Sequence, residues 1–325
     1  MQCLPVRLMV ALCGLCLALT CSQPQAQYPV KPIRLIVPFP AGGPADVLGR
    51  IVSQKLAESL AVPVIVDNRA GADGIIGTDL VAKSAPDGYT VLLNSGSTTI
   101  NAHVYGKLPY DLMRDLAPVT MLSAPSGQVI AAHPSLGVRN VAELIALAKK
   151  QPGKISFSSS GQGSALQLVG ELFAARAGIQ LVHVPYKGAG PALNDLLSGQ
   201  VQLMFPNIVS VMPHIASGRM RVLAQTKPSR EPMLPNVPTL VEEGFADFDF
   251  AGWFGIWVAA RTPDAIVRRL NAEFARVLAL PEVRERFTGL GLSPSGASPE
   301  EFGKFVREDY ERMGLYVKQV GLRID

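Results

Sequence analysis

Two stretches of this chain combine glycine, serine and turn residues in a way that suits anion binding. Pro38-Phe39-Pro40-Ala41-Gly42-Gly43-Pro44-Ala45-Asp46 and Ser158-Ser159-Ser160-Gly161-Gln162-Gly163-Ser164 each lie between a strand-like and a helix-like run. Paired glycines let the backbone approach a ligand closely, and the unpaired N–H groups of a helix start carry partial positive charge, which suits a carboxylate or phosphate. The serine hydroxyls add donors without a fixed cation. A tight turn at Gly42-Gly43 and an ordinary helix cap at the serines are the structural alternatives, although one cap needs no string of serines.

Three further loops have the same setting: Asn94-Ser95-Gly96-Ser97-Thr98-Thr99, Pro185-Tyr186-Lys187-Gly188-Ala189-Gly190-Pro191, and Pro206-Asn207. In open α/β sheets ligands sit beyond the carboxyl ends of the strands, where all of these loops would converge. Lys187 could neutralise an anion, but a solitary loop lysine reads first as a solvated one. Enzyme chemistry lacks its parts. His103, His133, His183 and His214 are scattered without metal-ligand spacing, and no nucleophile elbow, dinucleotide fingerprint or phosphate loop occurs. His183 and His214 read as core or surface residues. A secreted hydrolase using Ser97 or Ser164 with a histidine supplied by folding stays open as an alternative.

The elements that would position these loops alternate along the chain. Ile33–Val37 is a β-branched run, followed by helical spacing from Asp46 to Leu60; Val64–Val66 and Tyr89–Leu93 repeat the strand pattern. From Leu116 to Pro134 the pattern is two strand-like pieces, Val119–Leu122 and Val129–Ala132, joined by Ser123–Gly127. A second series then follows: helices at 140–150, 165–177, 191–198 and 208–217, and strands at 154–158, 181–184, 201–205 and 221–225. An aromatic strand-like stretch, Phe248–Val258, precedes two closing helices. Thr262-Pro263 and Ser298-Pro299 with Glu301 open these helices, each as a cap followed by proline at the first helical position. Buried strands separated by helices predict parallel-dominated sheets in two α/β lobes. With hinges near residues 124 and 251, the chain crosses between lobes twice. That divides it into 1–26 as a leader, 27–123 plus 252–325 as one lobe, and 124–251 as the other.

Composition agrees with an exported globular protein. The chain has 325 residues, 48% of them hydrophobic, and a net charge of +4, which leaves no basic field for nucleic acid. All 4 cysteines, Cys3, Cys13, Cys16 and Cys21, fall in an N-terminal segment where Arg7 precedes the apolar run Leu8–Leu19. This is the build of a secretory signal peptide, with cleavage after Ala26; the run is shorter than the roughly 20 residues a bilayer span needs. Leu19-Thr20 before Cys21 departs from the small residues of a lipidation site. The mature protein would therefore hold together without disulfides.

Taken in order, several segments resemble the periplasmic receptors of tripartite tricarboxylate transporters, the Bug or TctC family. They are Tyr28-Pro29 with Lys31–Arg34, Pro38–Gly43 with Asp46, Asn68-Arg69 with Gly71 and Gly74, Ala85–Thr90, Asp115–Val119, Ser159–Gly161 with Gly163-Ser164, Glu171–Phe173, His183–Gly188 and Trp253–Gly255. The resemblance covers nearly the whole mature chain. It implies a type II, two-lobed flytrap holding a small carboxylate through loop backbone, hydroxyls and bridging water, with no cofactor, no metal and no catalysis. It also implies that Phe39, Ala41, Gly42, Gly43 and Asp46 of one lobe face Ser160, Gly163 and Ser164 of the other, with Ser97, Gly188, Ala189 and Asn207 at the edges. The implied protein is a periplasmic monomer that delivers its ligand to membrane permease subunits; a receptor serving a sensor kinase is the other role open to it. The sequence departs from the family pattern at Pro206, where Asp is frequent, at Gln167, where His is frequent, and at Asp73, where glycine is usual. Lacking an acid at Pro206, the chain is expected to take a plain mono- or dicarboxylate, with Phe39 able to face an aromatic one.

Overall fold

The computed structural model describes residues 28–215 and 217–324; the leader, its cysteines, the Ala26 cleavage position and Cys21 lie outside the described residues. The first series of elements is β1 (Ile33–Val37), α1 (Pro44–Leu60), β2 (Val64–Asn68), a 3₁₀ turn (Ala72–Gly74) leading into α2 (Ile75–Ala82), β3 (Thr90–Ser95), α3 (Ser97–Val104), α4 (Leu112–Asp115) and β4 (Leu116–Gly127). The second is β5 (Val129–Ala132), α5 (Val141–Lys150), β6 (Ser156–Ser159), α6 (Ala165–Ala177), β7 (Val182–Pro185), α7 (Ala189–Leu197), β8 (Leu203–Met204), α8 (Ile208–Ile215) and β9 (Arg221–Gln225). The chain closes with β10 (Ala251–Ala259), α9 (Asp264–Ala279), α10 (Pro281–Gly289) and α11 (Pro299–Val320).

These strands form a two-lobed α/β fold with one sheet per lobe, in the orders β2-β1-β3-β10-β4 and β7-β6-β8-β5-β9. In the first sheet β1 runs parallel to β2 and β3, and β10 lies antiparallel between β3 and β4. The second repeats the plan, with β6 parallel to β7 and β8, and β5 antiparallel between β8 and β9. The odd strand of each sheet is the one the chain enters on leaving the other: β5 directly follows β4, and β10 follows β9. The parallel strands on one side of that odd strand send their following loops and helices toward the same side of each lobe, which is what gathers the glycine-rich loops.

Four local readings change. Ser123–Gly127 is not a break but the end of β4, because Ser123, Ser126 and Gly127 pair with Phe254, Gly252 and Ala251 of β10. β4 is an edge strand, so Pro118 and Pro125 need not donate on its free side. Ser97 opens a helix rather than lying in a loop, and Thr98 and Thr99 turn their hydroxyls back onto the carbonyls of Ser95 and Gly96 at 2.7 and 2.8 Å. Three helices, not two, follow β10, because extended Leu280 ahead of Pro281 ends α9 and starts α10. Pro263 sits at the cap position rather than inside α9, whereas Ser298 and Glu301 form the expected capping box at α11.

Trp253, Trp257 and Phe302 pack in the first lobe, with the Trp257 and Phe302 rings 5.0 Å apart. Phe157, Phe173 and Phe205 centre the second lobe. That second cluster also takes in Ile100 and Val104 of α3 and Met313, Tyr316 and Val317 of α11, so the last helix is packed into both cores. No helix among the described residues is long and apolar enough to cross a membrane.

Candidate functional site

Between the two sheets lies a cavity of about 720 Å³. Its first wall is built from the loops after β1, β2 and β3, and the opposite wall from the loops after β6, β7 and β8. The start of β10 and two residues of α11, Asp309 and Met313, close the back. Besides α6, whose first residues Ala165 and Leu166 line the cavity under the Ser164 cap, α1, α2, α3 and α7 begin here, and their caps are Gly43, Gly74, Gly96 and Gly188. None of these caps supplies a side-chain acceptor. Away from the cavity, Asn140 caps α5 and Ser298 caps α11 through their side chains, while α9 and α10 start at Pro263 and Leu280 with no side-chain cap. The cavity therefore collects the positive ends of glycine-headed helices from both lobes, although the Ser97 N–H of α3 already donates to Ser95 Oγ at 3.4 Å and the Ile75 N–H of α2 to the Ala72 carbonyl.

Phe39, Ala41, Gly42, Gly43 and Ser97 stand on the first wall, and Ser160, Gly188, Ala189 and Asn207 on the second. Exposed Lys187 also reaches the wall. Asp46, Gly163 and Ser164 do not. Asp46 is 3% exposed and sits behind the Gly42 loop, where its Oδ2 accepts hydrogen bonds from the Gly42 N–H and from Arg50 Nε, each at 2.9 Å. Burial pushes its pKa up, but the bonds from Arg50, Gly42 and Asn68 together with the Arg50 charge outweigh that and hold it below the usual 3.8. Asp46 thus holds Gly42 in its left-handed conformation, φ 81°, from behind the cavity wall. Ser164 caps α6, accepting from the Gln167 N–H at 3.3 Å and donating to the Gly161 carbonyl at 2.8 Å. Gln167, in turn, accepts from the Gly163 N–H at 2.8 Å. Gly163 has φ 78° and is packed against Ile324, Tyr105 and Val104, so its role is a close approach between elements.

Several wall residues gave little signal in the sequence. Gln128 is 1% exposed and forms a bridge with Asn207; the side-chain oxygens of both are enclosed and have no hydrogen-bond partner. A lone glutamine before an apolar run was the one available sign. Asp73 and Tyr105 line the first wall. Asp309 is committed to structure, taking Thr99 Oγ1 at 2.7 Å, Trp253 Nε1 at 3.1 Å and Arg312 at 2.7 Å.

Serine-histidine chemistry finds no support. Ser159 Oγ lies 2.6 Å from His183 Nε2, but Ser159 is fully buried and off the cavity, while burial depresses the His183 pKa to about 4. Ser164 spends its hydroxyl on the cap, and Ser97 forms no hydrogen bond with a histidine.

Comparison with known proteins places this geometry. The model of the tripartite tricarboxylate transporter family receptor matches residues 48–322. Protein BugT of Bordetella pertussis is 38% identical over 299 residues, 91% of each chain. An R. palustris protein solved with adipate superimposes with a TM-score of 0.86 at 33% identity, covering 91% of this chain and 99% of the other. MatC of Rhodopseudomonas palustris, solved with bound malate, gives 0.84 at 29% identity, covering 89% and 100%.

Proposed function

The chain belongs to the tripartite tricarboxylate transporter receptor family and is a solute receptor, not an enzyme; we propose that its solute is a small organic carboxylate held between the lobes. The observation that carries this reading is the set of glycine-capped helix starts, Gly43, Gly74, Gly96 and Gly188, opening on one cavity from both sides. A carboxylate there can accept from backbone N–H groups and from the Ser160 hydroxyl, and it needs no metal or fixed cation. The cavity volume of about 720 Å³ falls within the range of small-molecule sites. The adipate and malate bound to the related proteins support the same ligand class.

Phe39, Ala41, Gly42, Gly43, Ser97, Ser160, Gly188, Ala189 and Asn207 are the proposed contacts, with Asp46, Gly163 and Ser164 holding them from behind. The lobes are residues 27–123 plus 252–325 and residues 124–251. The paired ends of β4 and β10, whose register shifts between Gly252 and Phe254 and again at Gly255, serve as the hinge. Ligand touching both walls shifts the open–closed equilibrium toward closed, by no more than its differential affinity for the two states. The closed receptor, a periplasmic monomer freed of its leader, then docks on the permease of a tripartite tricarboxylate transporter.

A thermal-shift screen of the mature protein against carboxylate metabolites tests the reading. A ligand at 100 times its Kd adds about 2.7 kcal/mol of stability and raises Tm by several degrees. No stabilisation by any carboxylate, or turnover of the one that binds, overturns it.

A further inference from the structure

Among the described residues, Asp73 is the acid on the cavity wall with the fewest partners, a hydrogen bond from Ser97 at most. Asp309 is held by Thr99, Trp253 and Arg312, and Asp46 stands behind its loop with Gly42 and Arg50. Asp73 lies in the loop between β2 and α2, with its backbone in the left-handed region at φ 47°, ψ 39°, and it faces the cavity. One carboxylate oxygen, Oδ2, is fully enclosed and has no partner. Its side-chain neighbour is the Ser97 hydroxyl, and no lysine, arginine or histidine among the described residues forms an ion pair with it. An enclosed carboxylate oxygen without a donor is costly to maintain, and a non-glycine residue in this backbone region adds to the cost. The first of these costs falls when a donor arrives from the cavity.

We propose that Asp73 is a specificity residue, accepting a hydrogen bond from a hydroxyl or ammonium group on the carbon skeleton of the carboxylate ligand. The ligand's own carboxylate goes to the glycine-capped helix ends, and the donor turns toward the first wall. The second wall offers no acid at the end of β8, where Pro206 stands. This assignment rests on the carboxylate-receptor reading and narrows it, replacing the expectation of a plain carboxylate with a substituted one.

Burial pushes the Asp73 pKa up to about 6, so at neutral pH the acceptor form prevails and acidification removes it. The titratable groups around it do not compete over that range. Tyr105 and Tyr110 are both shifted upward, chiefly by burial, and stay neutral, while Asp79 beyond Tyr110 is paired with Lys83 at 2.6 Å.

The test is isothermal titration of wild type, Asp73→Asn and Asp73→Gly with matched sets: succinate, malate and aspartate; glutarate, 2-hydroxyglutarate and glutamate; phenylacetate, mandelate and phenylglycine. Both variants suit a left-handed backbone, and unfolding curves verify that they fold. In whichever set binds, the hydroxy or amino member is expected to bind wild type about tenfold or more tighter than its unsubstituted partner at about pH 8, and Asp73→Gly to abolish that preference. Asp73→Asn separates the two donors, because an amide oxygen retains a hydroxyl but forfeits the charge an ammonium needs. Affinity of the preferred member is expected to fall from about pH 8 to about pH 5 as Asp73 protonates. Equal wild-type affinity for substituted and unsubstituted members, or an unsubstituted ligand that tightens at low pH only when Asp73 is present, overturns the assignment and leaves the receptor reading standing. No binding in any set overturns both.

Discussion

Replacing Asp46 tests whether a residue off the cavity wall sets the affinity of the site. Asp46→Ala removes the acceptor of the Gly42 N–H and the partner of Arg50, both at 2.9 Å. The bond to Gly42 is part-buried and charge-assisted, worth about 1.5–3 kcal/mol. The Arg50 side chain is 57% exposed, so that pair adds less than about 1 kcal/mol. A total near 2 kcal/mol lowers Tm by roughly 4–8 °C. The Gly42-Gly43 loop then samples other conformations, and restoring the bound one weakens ligand affinity by roughly three- to thirtyfold. Asp46→Asn keeps an oxygen for Gly42 and is expected to retain most of the affinity while losing about 1 kcal/mol of stability. The sign of the pH effect follows from the lowered pKa. Asp46 contributes its stability in full above 3.8, the unfolded value, and loses it as pH falls through the lower folded value. The stability gap between wild type and Asp46→Asn should therefore close as the solution is acidified below about pH 4. Titration calorimetry with the best carboxylate from the thermal-shift screen, beside urea unfolding at several pH values, reads all of this. Unchanged affinity in Asp46→Ala would show that the loop needs no support. A loss beyond about a thousandfold would mean that Asp46 touches the ligand itself.

Other substitutions probe separate parts of the molecule. His183 has its pKa depressed from 6.5 to about 4 by burial, so stability is complete above 6.5 and falls as pH drops toward 4. His183→Gln should remove about 1–3 kcal/mol of that acid-induced loss in urea unfolding, and an unaltered pH slope would refute the cause. Gly255→Ala drives a methyl into the Phe302 ring and should cost about 1–3 kcal/mol, partly recovered in the double variant with Phe302→Leu. Absence of recovery would place the strain elsewhere. Gly163→Val adds bulk 3.1–3.4 Å from Ile324, Tyr105 and Val104 at a left-handed φ of 78°. It should lower Tm by several degrees and weaken ligand binding, since Tyr105 also lines the cavity; an unchanged melting curve would contradict that packing.

The strand-helix alternation was legible because β-branched runs and helical spacing are strong local signals; Ala165–Ala177, Ile33–Val37 and Arg221–Gln225 fall where the pattern puts them. The glycine loops were legible for the same local reason. Long-range pairing was not. Ser123–Gly127 reads as a linker until β10 is laid beside it, and the polar string Ser97-Thr98-Thr99 hides a helix whose hydroxyls are satisfied by its own carbonyls and by Asp309. In the site, the sequence showed which loops converge but not which side chains point inward. Asp46, Gly163 and Ser164 carry ligand-like chemistry and spend it on the loops themselves, whereas Gln128 and Tyr105 reach the cavity from positions with no distinctive spacing and Asp73 stood out only against the family pattern.

The crossing of the chain between sheets also bears on the order in which it can be made. Every strand of the second sheet lies between residues 129 and 225, so that sheet can close as soon as this segment is available. The first sheet cannot. Its slot between β3 and β4 stays empty until residues 251–259 arrive, leaving two facing edges with unpaired N–H and C=O groups. A nascent or truncated chain ending before residue 251 would carry a finished second sheet and a split first one. That interval is when the protein is most open to strand addition by another copy and most dependent on whatever holds unfinished chains apart.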